Sequence, residues 1–313
     1  MKRKNLLQRL SMPLGELETY YRERRRESFE QNAPFTGVRL RRWLHPLTLG
    51  VLRLAALATG QRITVLADHR LPTDRPVIFA STHIGWDDPA IVLLAVREHA
   101  YLFWGDPKGS YKTLDGLVMD MNGIVACDTD SKSDRYIGKE TCVKWLSQDG
   151  NLLIFPEGAW NVTDHLPVMP LFPGTADMAI HTGADIIPVA FEKFGKEFLV
   201  NIGKNIPAEG YAPTQSRELT GLLRQSLAEL KWEIWSAQPP ESRADLPADY
   251  RTAYLRGFTD QIPDDSYSLE IIEATRFHSK AELARREVVS ALERLIPRKE
   301  NAFLFRNRQD GSL

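Results

Sequence analysis

Residues 76–90 read PVIFASTHIGWDDPA, and the order of residue types in this one stretch decides the fold. Residues 76–81 (PVIFAS) form an apolar run of the length expected for a strand buried on both faces. Turn-forming residues follow, and after Pro89 the segment from Ala90 to Arg97 has helical character. The same pattern recurs along the chain. Residues 62–67 are a short strand candidate, residues 151–155 (NLLIF) run into Pro156-Glu157-Gly158, and residues 185–191 (DIIPVAF) follow a helical stretch over 175–182. Strands separated by helices predict an α/β fold with a mixed, partly parallel sheet flanked by helices and with helical N- and C-terminal extensions. Ligands of such sheets sit beyond the C-terminal ends of the strands, where both chemically suggestive runs lie.

His83 and Asp88 stand five positions apart across the first of those turns. A turn folds the segment back on itself, so the imidazole and the carboxylate can hydrogen-bond. The carboxylate then fixes the tautomer and stabilises the imidazolium formed when the other nitrogen takes a proton, the general-base role of histidine near neutral pH. A plainer reading stands beside it: Asp88 directly before Pro89 suits a helix N-cap, and Asp87 suits it equally. Glu157, on the turn after the second buried strand, can bind a substrate hydroxyl, pair with a basic residue or accept backbone N–H groups. Gly158 permits a tight turn there, and an ordinary Pro-x-Gly turn with an exposed acid is the alternative. No GxSxG elbow supports a serine nucleophile, and Cys127 reads as a small buried residue. A metal-dependent hydrolase using His83, Asp87 and Asp88 lacks a second ligand cluster, because His45, His69, His99, His165, His181 and His278 are scattered; no metal is expected.

Taken in order, THxxxxD at residues 82–88, NGxxxxD at 122–128, FPEG at 155–158, the Pro173-Gly174 turn and Ile187-Pro188-Val189 resemble the blocks of the glycerolipid acyltransferase family, typified by 1-acylglycerol-3-phosphate acyltransferases. The likeness spans roughly residues 70–200. It implies acyl transfer without a covalent enzyme intermediate. His83 would deprotonate an acceptor hydroxyl, which attacks the thioester of acyl-CoA or acyl-carrier protein while Asp88 orients the imidazole. It also implies active-site positions for Phe155, Pro156, Glu157 and Gly158, a lyso-lipid acceptor, and no cofactor beyond the acyl-CoA or acyl-carrier-protein co-substrate.

The chain departs from the family where arginines are associated with the acceptor's phosphate. Asp128 stands near the end of the second block and Trp160 shortly after FPEG. A carboxylate beside a poorly solvated phosphate is repulsive by several kcal/mol. Either the phosphate is held by other cations, from Lys108 and Lys112 or from Lys132, Arg135 and Lys139, or the acceptor is a phosphate-free glycolipid or aminolipid. Trp160 would then wall an acyl tunnel or stack on a sugar. A different class, a non-catalytic lipid-binding protein on the same fold, is motivated by the same two missing arginines.

The whole chain of 313 residues is nearly neutral, with a net charge of -1 and 43 % hydrophobic content, which suggests neither disorder nor nucleic-acid binding. Its charge is uneven: residues 1–60 carry twelve Lys or Arg against five Glu, a net +7, which leaves the remainder at -8. Within that segment residues 39–57 (RLRRWLHPLTLGVLRLAAL) mix arginine with leucine. They suit either a helix lying on anionic lipid or an amphipathic helix packed on the core, with Pro46 at a helix start or kink. The apolar run is too interrupted to span a membrane. Cys127 and Cys142 have no disulfide or zinc spacing, and no export signal is read at the start. The expectation is a cytoplasmic protein held peripherally on the inner face of a membrane, divided into a basic segment (1–60), an acyltransferase core (61–210) and a mainly helical extension (211–313). Leucines at 219, 222, 223, 227 and 230 predict one helix of that extension, residues 281–295 a second, and residues 236–248 a loop between them.

Overall fold

The computed structural model describes residues 4–33, 38–105, 108–163, 166–239, 247, 249–260 and 268–277. Eight strands form one sheet: β1 (Arg62–Asp68), β2 (Val77–Ser81), β3 (Tyr101–Gly105), β4 (Ile124–Cys127), β5 (Leu152–Ile154), β6 (Asp185–Phe194), β7 (Glu197–Ile202) and the short β8 (Ile206–Pro207). Their order is β1-β7-β6-β2-β5-β3-β4, with β8 on β6. Strands β6, β2, β5, β3 and β4 are mutually parallel, whereas β7 and β8 run antiparallel to β6. The sheet is therefore mixed and mostly parallel, and β2 and β5 lie side by side in register, with Phe79 opposite Leu153.

Alternate residues of the parallel strands feed two cores, as expected for strands covered on both faces. Val77 and Phe79 pack with α3 (Val38–Thr59) and α4 (Asp88–Val96). Ile78 and Ala80 pack with α6 (Lys132–Leu146), α7 (Gly174–Thr182) and α8 (Ser216–Ser236). Leu219, Leu223 and Leu227 of α8 belong to this second core, so the chain after residue 210 completes a face of the sheet. The remaining helices are α1 (Leu6–Leu10), α2 (Leu14–Glu30), α5 (Leu114–Asn122), α9 (Tyr250–Thr259) and α10 (Leu269–Thr275).

Three expectations change. Pro46 does not start a helix: α3 runs through it, the missing N–H being absorbed within a helix whose neighbours hold it on one side. Helix α3 packs on the core, one of the two readings of its sequence, and it carries a second apolar face that is exposed. His45, Thr48, Leu49, Leu52 and Ala56 are buried, while Leu40, Trp43, Leu47, Leu54 and Leu57 are 57–76 % exposed on the other side. Strands β3, β4 and β7 were not expected, since short apolar runs without regular alternation leave strand and helix indistinguishable. The helix expected over 281–295 lies outside the described residues. Of the loop over 236–248, Ser236 instead ends α8, and most of the rest lies outside them.

Candidate active site

β2 leaves the sheet at Ser81, and the next residues are anchored to its neighbour: Thr82 N–H donates to the Val189 carbonyl at 3.1 Å, and Thr82 Oγ1 accepts from Phe191 N–H at 3.2 Å. His83 is the first residue free of the ladder. Its Nδ1 lies 2.7 Å from Asp88 Oδ2, the same oxygen that accepts the N–H groups of Ile84 at 2.5 Å and Gly85 at 2.9 Å. An oxygen already held as an acceptor by two backbone donors, on a carboxylate that is 1 % exposed, draws a hydrogen from the imidazole too. In the neutral imidazole the proton therefore belongs on Nδ1, which leaves the lone pair on Nε2. Neither aspartate caps α4. Asp87 occupies the N-cap position without a side-chain cap bond, and its carboxylate accepts from Gln61 Nε2 at 2.6 Å, while burial pushes its pKa up.

The loop after β5 clamps His83 from the other side. Glu157 takes the third of its sequence options: it is fully buried, Oε1 accepting His83 N–H at 2.9 Å and Oε2 accepting Met169 N–H at 2.8 Å. The His83 carbonyl accepts Asn161 N–H at 2.7 Å. Both backbone polar groups of His83 thus belong to one loop. The imidazole stacks on Phe155 with ring centroids 4.4 Å apart, and Trp160, itself buried, stands edge-on at 6.3 Å. The Pro156 carbonyl accepts Phe172 N–H at 2.9 Å, which closes the turn. Gly158 sits there at φ +70, and a Cβ would come within 2.4 Å of the Phe172 ring. Burial pushes Glu157 upward, opposed by Lys231 and by its two N–H partners. The shift stabilises protonated Glu157, so its share of stability is present at low pH and is lost as pH rises through its folded value.

The other expected residues are elsewhere. Asp128 follows β4, the sheet's edge strand, three strands from β2 and so ~14 Å across the sheet at about 4.8 Å per strand. Its carboxylate pairs with Arg22 of α2 at 3.2 Å. Lys112 donates to the Met12 carbonyl, tying the N-terminal segment down, and Lys108 begins the short 3-10 turn Lys108–Lys112. Beneath α2, a cavity of about 690 Å3 opens along the β4 edge between apolar walls that include Trp104, Leu117, Ile124 and Ile137, with Arg9 and Arg24 among its lining residues. Neither His83 nor Asp88 lines it.

Sequence reasoning missed three contributors. Asn161 carried no signal beyond following FPEG. The arginines of α2 were counted as net charge without a destination. Lys231 left a signal, a lysine four positions after Leu227 on the buried stripe of α8. Among the described residues no three His, Cys, Asp or Glu side chains gather as a metal site, and no helix is long and apolar enough to cross a membrane.

Residues 62–192 match the family model described as Acyltransferase. No curated protein matches the chain by sequence. A solved structure, that of the 1-acyl-sn-glycerophosphate (LPA) acyltransferase PlsC from Thermotoga maritima, superposes with a TM-score of 0.53 at 15 % identity, covering 76 % of this chain and 98 % of that one. The likeness is one of fold. The matched residues begin with β1 and end within β6, so α1 to α3 and α8 lie beyond them.

Proposed function

Residues 62–192 match the acyltransferase family model, and from that premise we propose that the chain belongs to this family and moves a fatty acyl group from acyl-CoA or acyl-carrier protein to a hydroxyl of a lyso-lipid. The observation that carries the mechanism is the 2.7 Å contact between His83 and Asp88. With Nδ1 committed to Asp88, Nε2 takes the proton of the acceptor hydroxyl as its oxygen forms the new bond to the thioester carbon. Collapse of the tetrahedral adduct breaks the carbon–sulfur bond, and the thiolate leaves with the proton returned from the imidazolium. Asp88, with its oxygen held by three donors, keeps the imidazole in the working tautomer throughout.

The lyso-lipid on which the matched structure's namesake acts, 1-acyl-sn-glycerophosphate, is the leading acceptor. A second reading, an acceptor without phosphate, is favoured by the aromatic wall of Trp160 beside His83 and by Asp128, whose partner Arg22 is already engaged. A labelled acyl thioester offered with a panel of lyso-lipids decides between them: higher kcat/KM on phosphate-free members establishes the second reading. Absence of thioester turnover with every acceptor removes both. The apolar walls of the cavity along β4 receive the acyl chain, and Leu117→Trp should shift preference to shorter chains; an unchanged chain-length profile argues against that placement.

The protein works on a membrane surface. The exposed stripe Leu40, Trp43, Leu47, Leu54 and Leu57 lies on a helix whose Arg39 and Arg53 are also exposed, an arrangement suited to anionic headgroups. Vesicle binding should rise with anionic lipid and fall with salt, each cation contributing about 1 kcal/mol near the surface. Trp43→Glu should weaken it; equal binding to neutral vesicles would count against the assignment.

A further inference from the structure

Helices α9 and α10 lie beyond residues 62–192, which match the family model, yet they pack directly on the loop that holds His83. Tyr254 and Phe258 stand four positions apart on α9, the spacing that places two side chains on one helix face. Their rings meet edge to face with centroids 5.1 Å apart. With Ile272 of α10 they form one buried cluster with Trp160, Val162 and Met169, which follow FPEG. Trp160 is the ring that stands edge-on to the imidazole, and Met169 is the residue whose N–H holds Glu157.

A chain of hydrogen bonds joins α9 to His83. Tyr254 Oη donates to the Thr163 carbonyl at 2.9 Å, across 91 positions of sequence. Thr163 N–H donates to Oδ1 of Asn161 at 3.1 Å, and the Thr163 hydroxyl donates to the same oxygen at 2.5 Å. Asn161 is fully buried. Its Nδ2 donates to the Leu166 carbonyl at 3.0 Å, and its backbone N–H donates to the His83 carbonyl at 2.7 Å. A buried amide satisfied at both ends stiffens the backbone that carries it, so the Asn161 N–H is aimed by groups that Thr163 and Leu166 hold in place.

We propose that Tyr254 is a positioning residue for His83: its hydroxyl, through Thr163 and Asn161, fixes the His83 carbonyl and so keeps the imidazole where Nδ1 meets Asp88. The role rests on the reading of His83 as general base. A reacting side chain has to be held within about 0.5 Å of its working place by groups that are themselves locked. Residues 161–163 belong to no helix or strand, so their place is set by what packs against them, and α9 packs there. The C-terminal extension is thus part of the scaffold of the site.

The test uses the full chain with Tyr254→Phe, which keeps the ring in its cluster and removes the donor. Amide hydrogen exchange at Asn161 should speed up by about tenfold while that of Ile78, in β2, stays as in wild type, because the opening is local to the loop. In acyl-transfer assays kcat should fall by about tenfold with KM little changed, the mark of a reacting group displaced by a change away from the chemistry. In an Asn161→Ala background, where the chain is already cut, Tyr254→Phe should cause no further loss. Unchanged kcat, additive losses in the double variant, or equal acceleration of exchange at Asn161 and Ile78 overturns the proposal and leaves Tyr254 as a packing residue of α9. If Asn161→Ala fails to fold, exchange and kcat of the single variant still decide the matter. Exchange needs no substrate, so a wild type without thioester turnover refutes the catalytic reading of His83 and not the link between Tyr254 and Asn161.

Discussion

The strand ends of this sheet hold their carboxylates in two contrasting ways. After β2 and β5, Asp88 and Glu157 are gripped by backbone N–H groups, those on Asp88 coming from residues three and four positions away. After β4, Asp128 and Asp134 are gripped by arginines of α2: Arg22 reaches Asp128, and Arg25 reaches Asp134 at 2.6 Å, more than a hundred positions away in sequence. Backbone donors cannot swing away and are little screened by salt, so they suit a site in which a proton must move between fixed atoms. Guanidinium arms are long and mobile. They fasten the basic N-terminal segment over the edge of the sheet and leave a cavity beneath it. The first grip suits chemistry, the second attachment.

The contrast predicts a hierarchy of effects. His83→Ala should lower kcat by about 10³- to 10⁴-fold with little loss of stability, and Asp88→Asn by about 10²-fold, since general-base catalysis contributes on that scale. Single-turnover assays with labelled acyl thioester measure both, and full activity of His83→Ala would break the comparison at its stronger end. At β4 the order reverses. Asp134→Ala should cost about 3 kcal/mol of stability, because it strands the largely buried Arg25 guanidinium and removes the acceptor of Asp128 N–H, also held by Asp134. Arg22→Ala, at a pair whose arginine is 52 % exposed, should cost less than about 1 kcal/mol. Urea melts that rank these two the other way would show that α2 is held by its outer contact.

A pH-dependent effect is expected at the opposite end of β4. His99 donates from Nε2 to the Asn122 carbonyl at 2.9 Å, and burial lowers its pKa to about 4; burial lowers His45, beside the Asn122 side chain, as well. A depressed histidine favours the neutral form in the fold. Its stability is complete above the unfolded value near 6.5 and is lost as pH falls toward about 4, by about 1–2 kcal/mol after allowance for partial exposure. Thermal melts between pH 7 and pH 4 should show that loss, and His99→Gln should flatten it. Equal slopes in the two proteins would mean that the acid sensitivity arises at carboxylates instead.

The strand-turn-helix unit at residues 76–90, the second buried strand ending at FPEG, the mixed sheet and the pairing of His83 with Asp88 were all legible in the sequence. Each rests on turn chemistry or on apolar runs that span a few residues. The partners of those residues were not. Glu157 meets His83 across 74 positions because β2 and β5 are neighbours in the sheet, and no local pattern encodes strand order. For the same reason the conspicuous acid of FPEG became a buried acceptor of backbone N–H groups, and the arginines of α2 found the ends of β4 and α6. Helix α8 brought a lysine into the buried interior. Local residue order determined which chemical groups stand at the strand ends; the packing of distant segments decided what each of them touches, because burial and hydrogen-bond partners exist only once the chain has folded.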